Sequence, residues 1–148
     1  TDAYHLDNKI HFPPDYCEKM LGVEARVGQV QLRKYPDMLT QKLRYANWYE
    51  SNLSLPDGWE KPPMVEGATF SHYPIRVLNR DKTINYFAKH GIELGNLIQY
   101  SIPELKPYKK HGEEFPNSKF ASEHIINMPL SSLNPAQLNL IRRLVHEE

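Results

Sequence analysis

The residues most able to do chemistry stand at the two ends of the first helix-like stretch and around one short strand. His5, His11 and Cys17 are spaced six apart, with Asp2 and Asp7 beside them. Zinc motifs hold ligands two to five residues apart, or one helical turn apart. The six-residue spacing fits neither, so this segment reads as a polar loop and no metal site is expected. A single cysteine excludes an intramolecular disulfide and a thiolate-rich zinc site. Cys17 has two readings, a reactive thiol beside His11 or Lys19, or a small buried residue.

No nucleophile stands in a recognisable setting. Ser54, Ser71, Ser131 and Ser132 lie outside any G-x-S-x-G elbow. Ser71 and His72 are neighbours on a predicted strand, where successive side chains point to opposite faces, so no dyad is expected there. His72, Pro74 and Arg76 share one face of that strand, which makes His72 and Arg76 candidates to line a polar surface together; the other reading is purely structural. Neither a dinucleotide fingerprint nor a P-loop occurs among the seven glycines. A Schiff-base lysine needs a desolvated site to lower its pKa. Lys109 and Lys110 instead stand side by side in a polar loop and read as solvated, as does the Glu113–Glu114 pair. With His111 they are too few for a nucleic-acid patch. Tyr45, Trp48 and Tyr49 fall at helical spacing, suited to packing on a sheet or a second subunit, or to lining a ligand.

These residues must be positioned by a chain of 148 residues and 17.3 kDa, the size of one domain. Eighteen basic and eighteen acidic side chains balance, so no nucleic-acid or anionic-membrane partner is expected. No apolar run reaches membrane-spanning length, and a soluble, cytoplasmic protein is expected. Residues 1–15 read as an irregular lead-in and residues 16–148 as the domain. Met20, Val23, Val27, Val30 and Leu32 predict a helix, with Asp15 as its N-cap. Pro36 fits badly inside a helix and is expected to open a second one, from Asp37 to about Leu53, giving a long bent helical pair. Loop chemistry covers Ser54 to Gly67. A strand is predicted from Thr69 to Leu78, at an edge or bulged because of Pro74. Asn79 caps a helix that Gly91 ends. A second strand is expected within Ile92 to Ser101, then a proline-bounded loop from Pro103 to Pro116. A short helix at Asn117 to His124 precedes an extended piece at Ile125 to Leu130. Asn134, Pro135 and Gln137 open the last helix as a capping box. Strands and helices without regular βαβ alternation indicate an α+β fold.

The order of several segments resembles a known family. Leu21 to Leu32 is similar to an Ala-Ala-x-Gly-x-x-Gln-Leu segment, and the long helix after it carries Arg44, Ala46, Tyr49 and Leu53 at matching places. Next come His72 to Arg76, His90-Gly91-Ile92, Pro107-Tyr108, and Phe115 to Ala121. Asn127-Met128-Pro129-Leu130 and Leu133 to Gln137 complete the set. This order resembles the C-terminal region of the DegT/DnrJ/EryC1/StrS family, fold-type-I sugar aminotransferases that depend on pyridoxal phosphate (PLP).

The resemblance implies the small C-terminal domain of such an enzyme, a short antiparallel sheet packed by helices. It also implies that the Schiff-base lysine and most PLP contacts belong to a larger N-terminal domain, which nothing in this sequence resembles. The isolated chain is therefore expected to be inactive. The full-length enzyme is expected to be a homodimer that transfers an amino group to a nucleotide-linked keto-sugar. Family members commonly carry Asn-Tyr-Arg-Met where this chain has Cys17-Glu18-Lys19-Met20. The resemblance thus places Cys17 and Lys19 near the cofactor phosphate of a neighbouring subunit, and His72 and Arg76 near substrate or an interface. A thiol is a weak donor, and lysine keeps the charge of arginine without its planar fork. Such departures, with Pro103-Glu104 where many members have a histidine, leave a second reading: a non-catalytic binding or assembly module of the same fold.

Overall fold

A computed structural model describes residues 17–96, 99–106, 108 and 114–148. The element order is α1 (Gly22–Asn52), β1 (Tyr73–Arg76), α2 (Arg80–Lys89), a 3-10 turn (Ile102–Glu104), α3 (Pro116–His124), β2 (Ile125–Met128) and α4 (Pro135–Glu147). The α+β class expected from the sequence is the class observed. Among the described residues, no helix is long and apolar enough to cross a membrane.

The predicted helical pair is a single continuous helix, with Pro36 in its interior. Proline there lacks the N–H that would bond the carbonyl one turn back. The neighbouring turn is held in part by Thr40, whose hydroxyl donates to the Pro36 carbonyl at 2.9 Å. The helix begins after Leu21, whose N–H donates to the Glu24 carboxylate at 2.7 Å. The proposed Asp15 cap lies outside the described residues. From Ala46 onward the helix is amphipathic in effect: Ala46, Tyr49 and, just past its end, Leu53 are buried.

β1 and β2 form a two-stranded antiparallel sheet, with Tyr73 opposite Met128 and Ile75 opposite Ile126. The predicted Thr69–Leu78 strand is therefore only four residues long. Arg76 exchanges both backbone hydrogen bonds with Glu60, at 2.9 and 3.0 Å. Pro74, two residues earlier, points its donor-less nitrogen to that same side, away from β2. There the sheet has only the isolated bridge at Glu60, so the proline costs no ladder bond. The expected second strand between Ile92 and Ser101 is reduced to one bridge, Gly95 with Asn127; Leu97 and Ile98 lie outside the described residues. A Cβ at Gly95 would sit 3.2 Å from the Asn127 Cβ, so a larger residue fits this bridge only if Asn127 gives by a few tenths of an ångström.

Helix ends follow the sequence signals closely. Asn79 accepts from the Lys82 N–H at 3.0 Å. Gly91 adopts φ 76°, and the N–H groups of Ile92 and Gly91 return to the carbonyls of Phe87 and Ala88, a Schellman ending. Asn134 and Gln137 cap each other reciprocally at 2.9 and 3.0 Å. The core joins the C-terminal half of α1 (Ala46, Tyr49) to the inner sheet face (Tyr73, Ile75, Ile126, Met128). Phe87 of α2 and Ile141, Leu144 and Val145 of α4 close it.

Candidate functional site

The densest set of side-chain interactions lies where α1 crosses the start of β1 and the loop leading to α4. Tyr49 is fully buried, and its hydroxyl donates to the Pro129 carbonyl at 2.6 Å. One turn earlier, the Tyr45 hydroxyl donates to the Leu133 carbonyl and accepts from the Leu133 N–H, both at 3.1 Å. That loop includes Ser132 at φ 60°, a left-handed conformation unusual for a residue with a side chain. Tyr45 thus pins a strained loop just before the Asn134 cap. The Tyr49 and Tyr73 rings lie 5.2 Å apart, and the Tyr73 hydroxyl donates to Glu50 at 3.2 Å. Burial pushes the Tyr49 hydroxyl far above its ordinary pKa, with Tyr45 and Tyr73 adding to it. Tyr73 is raised likewise, first by burial and then by the Glu50 carboxylate. Both phenols therefore stay neutral donors at physiological pH and cannot serve as tyrosinate bases. This cluster fixes structure. Beside it, a groove of about 530 Å³ opens between α1 and the start of α4, lined by Arg44, Tyr45, Trp48, Leu133, Leu138 and Asn139, among others.

The four candidate residues fall into two places. Cys17 and Lys19 are exposed in the segment that leads into α1. The buried reading of Cys17 does not hold. His72 is exposed just before β1, and Arg76 ends that strand. Among the described residues, no hydrogen bond, ion pair or ring contact joins His72 to Arg76, or either of them to Cys17 or Lys19. Arg76 is instead engaged by Glu60 through an ion pair, and its guanidinium lies 5.6 Å from the centre of the Phe120 ring. Phe120 in turn stacks on His124, with centroids 4.1 Å apart. Glu60, Arg76 and Phe120 are too far apart in sequence for any spacing rule to join them; only the pairing of three segments does so.

Ser71 and His72 require a correction. The Ser71 hydroxyl lies 3.2 Å from His72 Nδ1, although alternation along a strand would separate them. The strand begins only at Tyr73, so the alternation rule does not govern this bend. Lys42 of α1 donates to the Ser71 carbonyl at 3.2 Å and ties the bend to the helix. No partner orients the other imidazole nitrogen among the described residues, and both side chains face solvent, so the contact lacks the third group of a triad.

The described residues do not form a PLP site by themselves. No described lysine is buried. Lys42 and Lys61 are the most covered, and each donates to a backbone carbonyl, Lys42 to Ser71 and Lys61 to Glu50 at 2.7 Å. A lysine that binds a carbonyl cofactor needs a desolvated, lowered-pKa amine. Among the described residues, no group of three or more His, Cys, Asp or Glu could hold a metal ion. His5 and His11, the other members of the spacing considered for zinc, lie outside them, as do Lys109 and Lys110.

Comparison with known proteins agrees with this picture of a partial unit. The family model for DegT/DnrJ/EryC1/StrS aminotransferases matches residues 5–144. A dTDP-4-dehydro-2,3,6-trideoxy-D-glucose 4-aminotransferase from Saccharopolyspora spinosa is 27% identical over 133 residues, covering 86% of this chain and 34% of that protein. The aminotransferase TlmJ from Streptoalloteichus hindustanus superposes with a TM-score of 0.70 at 24% identity, over 84% of this chain and 35% of its own. A DegT/DnrJ/EryC1/StrS aminotransferase from Brucella abortus gives 0.72 at 21% identity, with the same coverages. The chain thus spans about a third of the length of each of these proteins. With its match running through α1, both strands and nearly all of α4, the chain belongs to the DegT/DnrJ/EryC1/StrS aminotransferase family.

Proposed function

We propose that this chain is the C-terminal small domain of a fold-type-I, PLP-dependent aminotransferase. In the full-length, homodimeric, cytoplasmic enzyme it helps transfer an amino group to a nucleotide-linked keto-sugar. Residues 1–15 are then a lead-in and residues 16–148 the domain. One observation carries this reading: a family match over residues 5–144 in a chain only about a third as long as its relatives. That no described lysine is buried accords with it, because the cofactor amine must come from elsewhere. PLP, when bound, supplies the electron sink that amino-group exchange requires. The isolated chain is inactive on this reading.

Within the full enzyme, Lys19 and Cys17 face the cofactor phosphate of a neighbouring subunit. Their exposure ahead of α1 leaves both side chains free to reach across such an interface. Lys19 supplies a point charge and Cys17 a weak donor. His72 and Arg76 contribute to substrate or interface contact as separate groups, since nothing joins them.

The test is the intact mass of the native protein after borohydride reduction. A mass well above 17.3 kDa, with a reduced pyridoxyl adduct on a lysine outside these 148 residues, is the expected result. A native mass of 17.3 kDa without adduct would refute it and favour the non-catalytic module. Lys19→Ala in the full enzyme is expected to weaken PLP retention on dialysis; unchanged retention removes Lys19 from the phosphate site.

A further inference from the structure

Of the three aromatic residues at helical spacing on α1, Tyr49 fills the core and Tyr45 pins the loop ahead of α4, which leaves half-buried Trp48 to line the groove. The groove volume of about 530 Å³ lies in the range of small-molecule sites. α1 lines it with Arg44, Asn47, Trp48, Ser51 and Asn52, a set spaced as one helix face. Leu133, Leu138 and Asn139 line it from the α4 side. Among the described residues, the side chains of Arg44, Asn47, Ser51 and Asn139 make no hydrogen bond or ion pair, and the Trp48 indole N–H has no acceptor. Asn52 donates one N–H to the Trp48 carbonyl at 2.8 Å and keeps its amide oxygen open. The walls around these open groups are held in advance. Tyr45 satisfies both backbone groups of Leu133, and the Tyr49 and Trp48 rings meet in a T-shaped pair at 5.7 Å. Leu133 follows Ser132, whose φ of 60° is strain of the kind that persists around ligand clamps.

The lining selects the chemistry of an occupant. An indole face beside two leucines favours a planar ring, because every aromatic ring offers a face to stack. Amide side chains donate and accept at once, which suits the edge of a heteroaromatic ring. Arg44 is the one charged residue among the described lining, and no acid stands with it, so the complementary ligand is an anion. Its planar guanidinium matches a phosphate or carboxylate through paired hydrogen bonds. Arg44 and Trp48 are four residues apart on the helix, with Cβ atoms about 5–6 Å apart, so one small molecule can reach both. A purely apolar ligand would leave the amides and the guanidinium without partners, and a cation would be repelled by Arg44.

We infer that the groove between α1 and α4 binds a small anion built on a planar heteroaromatic ring, with the ring on Trp48, its edge against the Asn47, Asn52 and Asn139 amides, and its oxyanion on Arg44. A nucleoside monophosphate and a heteroaromatic carboxylate such as nicotinate share this chemistry. The inference goes beyond the proposed amino-group transfer and does not depend on it, because the groove is lined by none of Cys17, Lys19, His72 and Arg76. The test is photolabelling of the full-length protein with 8-azidoadenosine monophosphate, the labelled peptides being located by mass spectrometry. Label is expected within residues 44–52 and 133–139. Adenosine monophosphate is expected to protect these peptides at an about tenfold lower concentration than adenosine, which has the ring and lacks the anion. Arg44→Gln, at an exposed position, is expected to abolish that difference, and Trp48→Leu to weaken protection about tenfold. Protection by nicotinate at a lower concentration than by adenosine monophosphate keeps the site and assigns its ligand to the carboxylates. Label absent from both segments, or spread without preference over the surface, overturns the inference. So does equal protection by adenosine monophosphate and adenosine in the unsubstituted protein.

Discussion

Replacing Tyr49 by phenylalanine isolates a single buried hydrogen bond, because the ring that packs against Trp48 and Tyr73 remains. The substitution removes the donor that satisfies the Pro129 carbonyl at 2.6 Å inside a fully buried site. Losing such a bond and stranding its acceptor costs about 2 kcal/mol. With a urea slope of about 1.5 kcal/mol/M, the midpoint should fall by roughly 1.3 M. Trp48 and Trp59 report the transition, since one edges Tyr49 at 5.7 Å and the other lies in the core. The effect should also depend on pH with a definite sign. The folded-state pKa of Tyr49 is raised above the ordinary value of 10.0. Unfolded chains therefore release this proton first as pH rises past 10, and the native state loses stability there. Between pH 10 and 11 that loss approaches ~1 kcal/mol for one such group. Phenylalanine cannot incur it, so the deficit of Tyr49→Phe should shrink from about 2 kcal/mol at pH 8 to about 0.6 kcal/mol at pH 11. A variant as stable as the parent at pH 8, or a deficit that does not change with pH, would refute the reasoning.

Three further substitutions test the frame around the site. Asn134→Ala removes one half of the reciprocal cap of α4 and should cost about 1 kcal/mol in urea denaturation, with Asn134→Gly costing less. Gly95→Val forces a branched side chain against Asn127, whose Cβ lies 3.2 Å from the first added carbon, and should cost about 1–3 kcal/mol; a neutral result would mean the bridge can open freely. Pro36→Ala restores a helical N–H in the exposed middle of α1. It should stabilise that helix by about 3 kcal/mol, read as higher amide-exchange protection around residues 32–40, and unchanged protection would mean that the proline does not limit the helix.

Local signals were legible wherever one short stretch decides the outcome. The Asn79 and Asn134 caps and the Gly91 ending follow from neighbours within one turn, where a side chain meets an orphan backbone group, and the α+β class follows from the order of elements along the chain. The resemblance to the family was legible too, because it rests on segment order and needs no contact to be known. Tertiary packing decided the rest. Pro36 stays inside a helix because the cost of one missing bond is local, while the helix around it continues through a length that sequence rules would break. The strand at Tyr73–Arg76 is less than half as long as its β-rich composition suggests, because β2 pairs over only four residues. His72 and Arg76 share a strand face by periodicity, yet Glu60 claims the arginine and the bend at Ser71 claims the histidine. The spacing of the α1 valines predicts a helix and leaves open what covers them. Only the folded chain shows that its own core is completed without them, because the sheet and α4 lie against the other half of the helix. Periodicity states that a face is apolar; what buries it depends on which surfaces the rest of the polypeptide brings there.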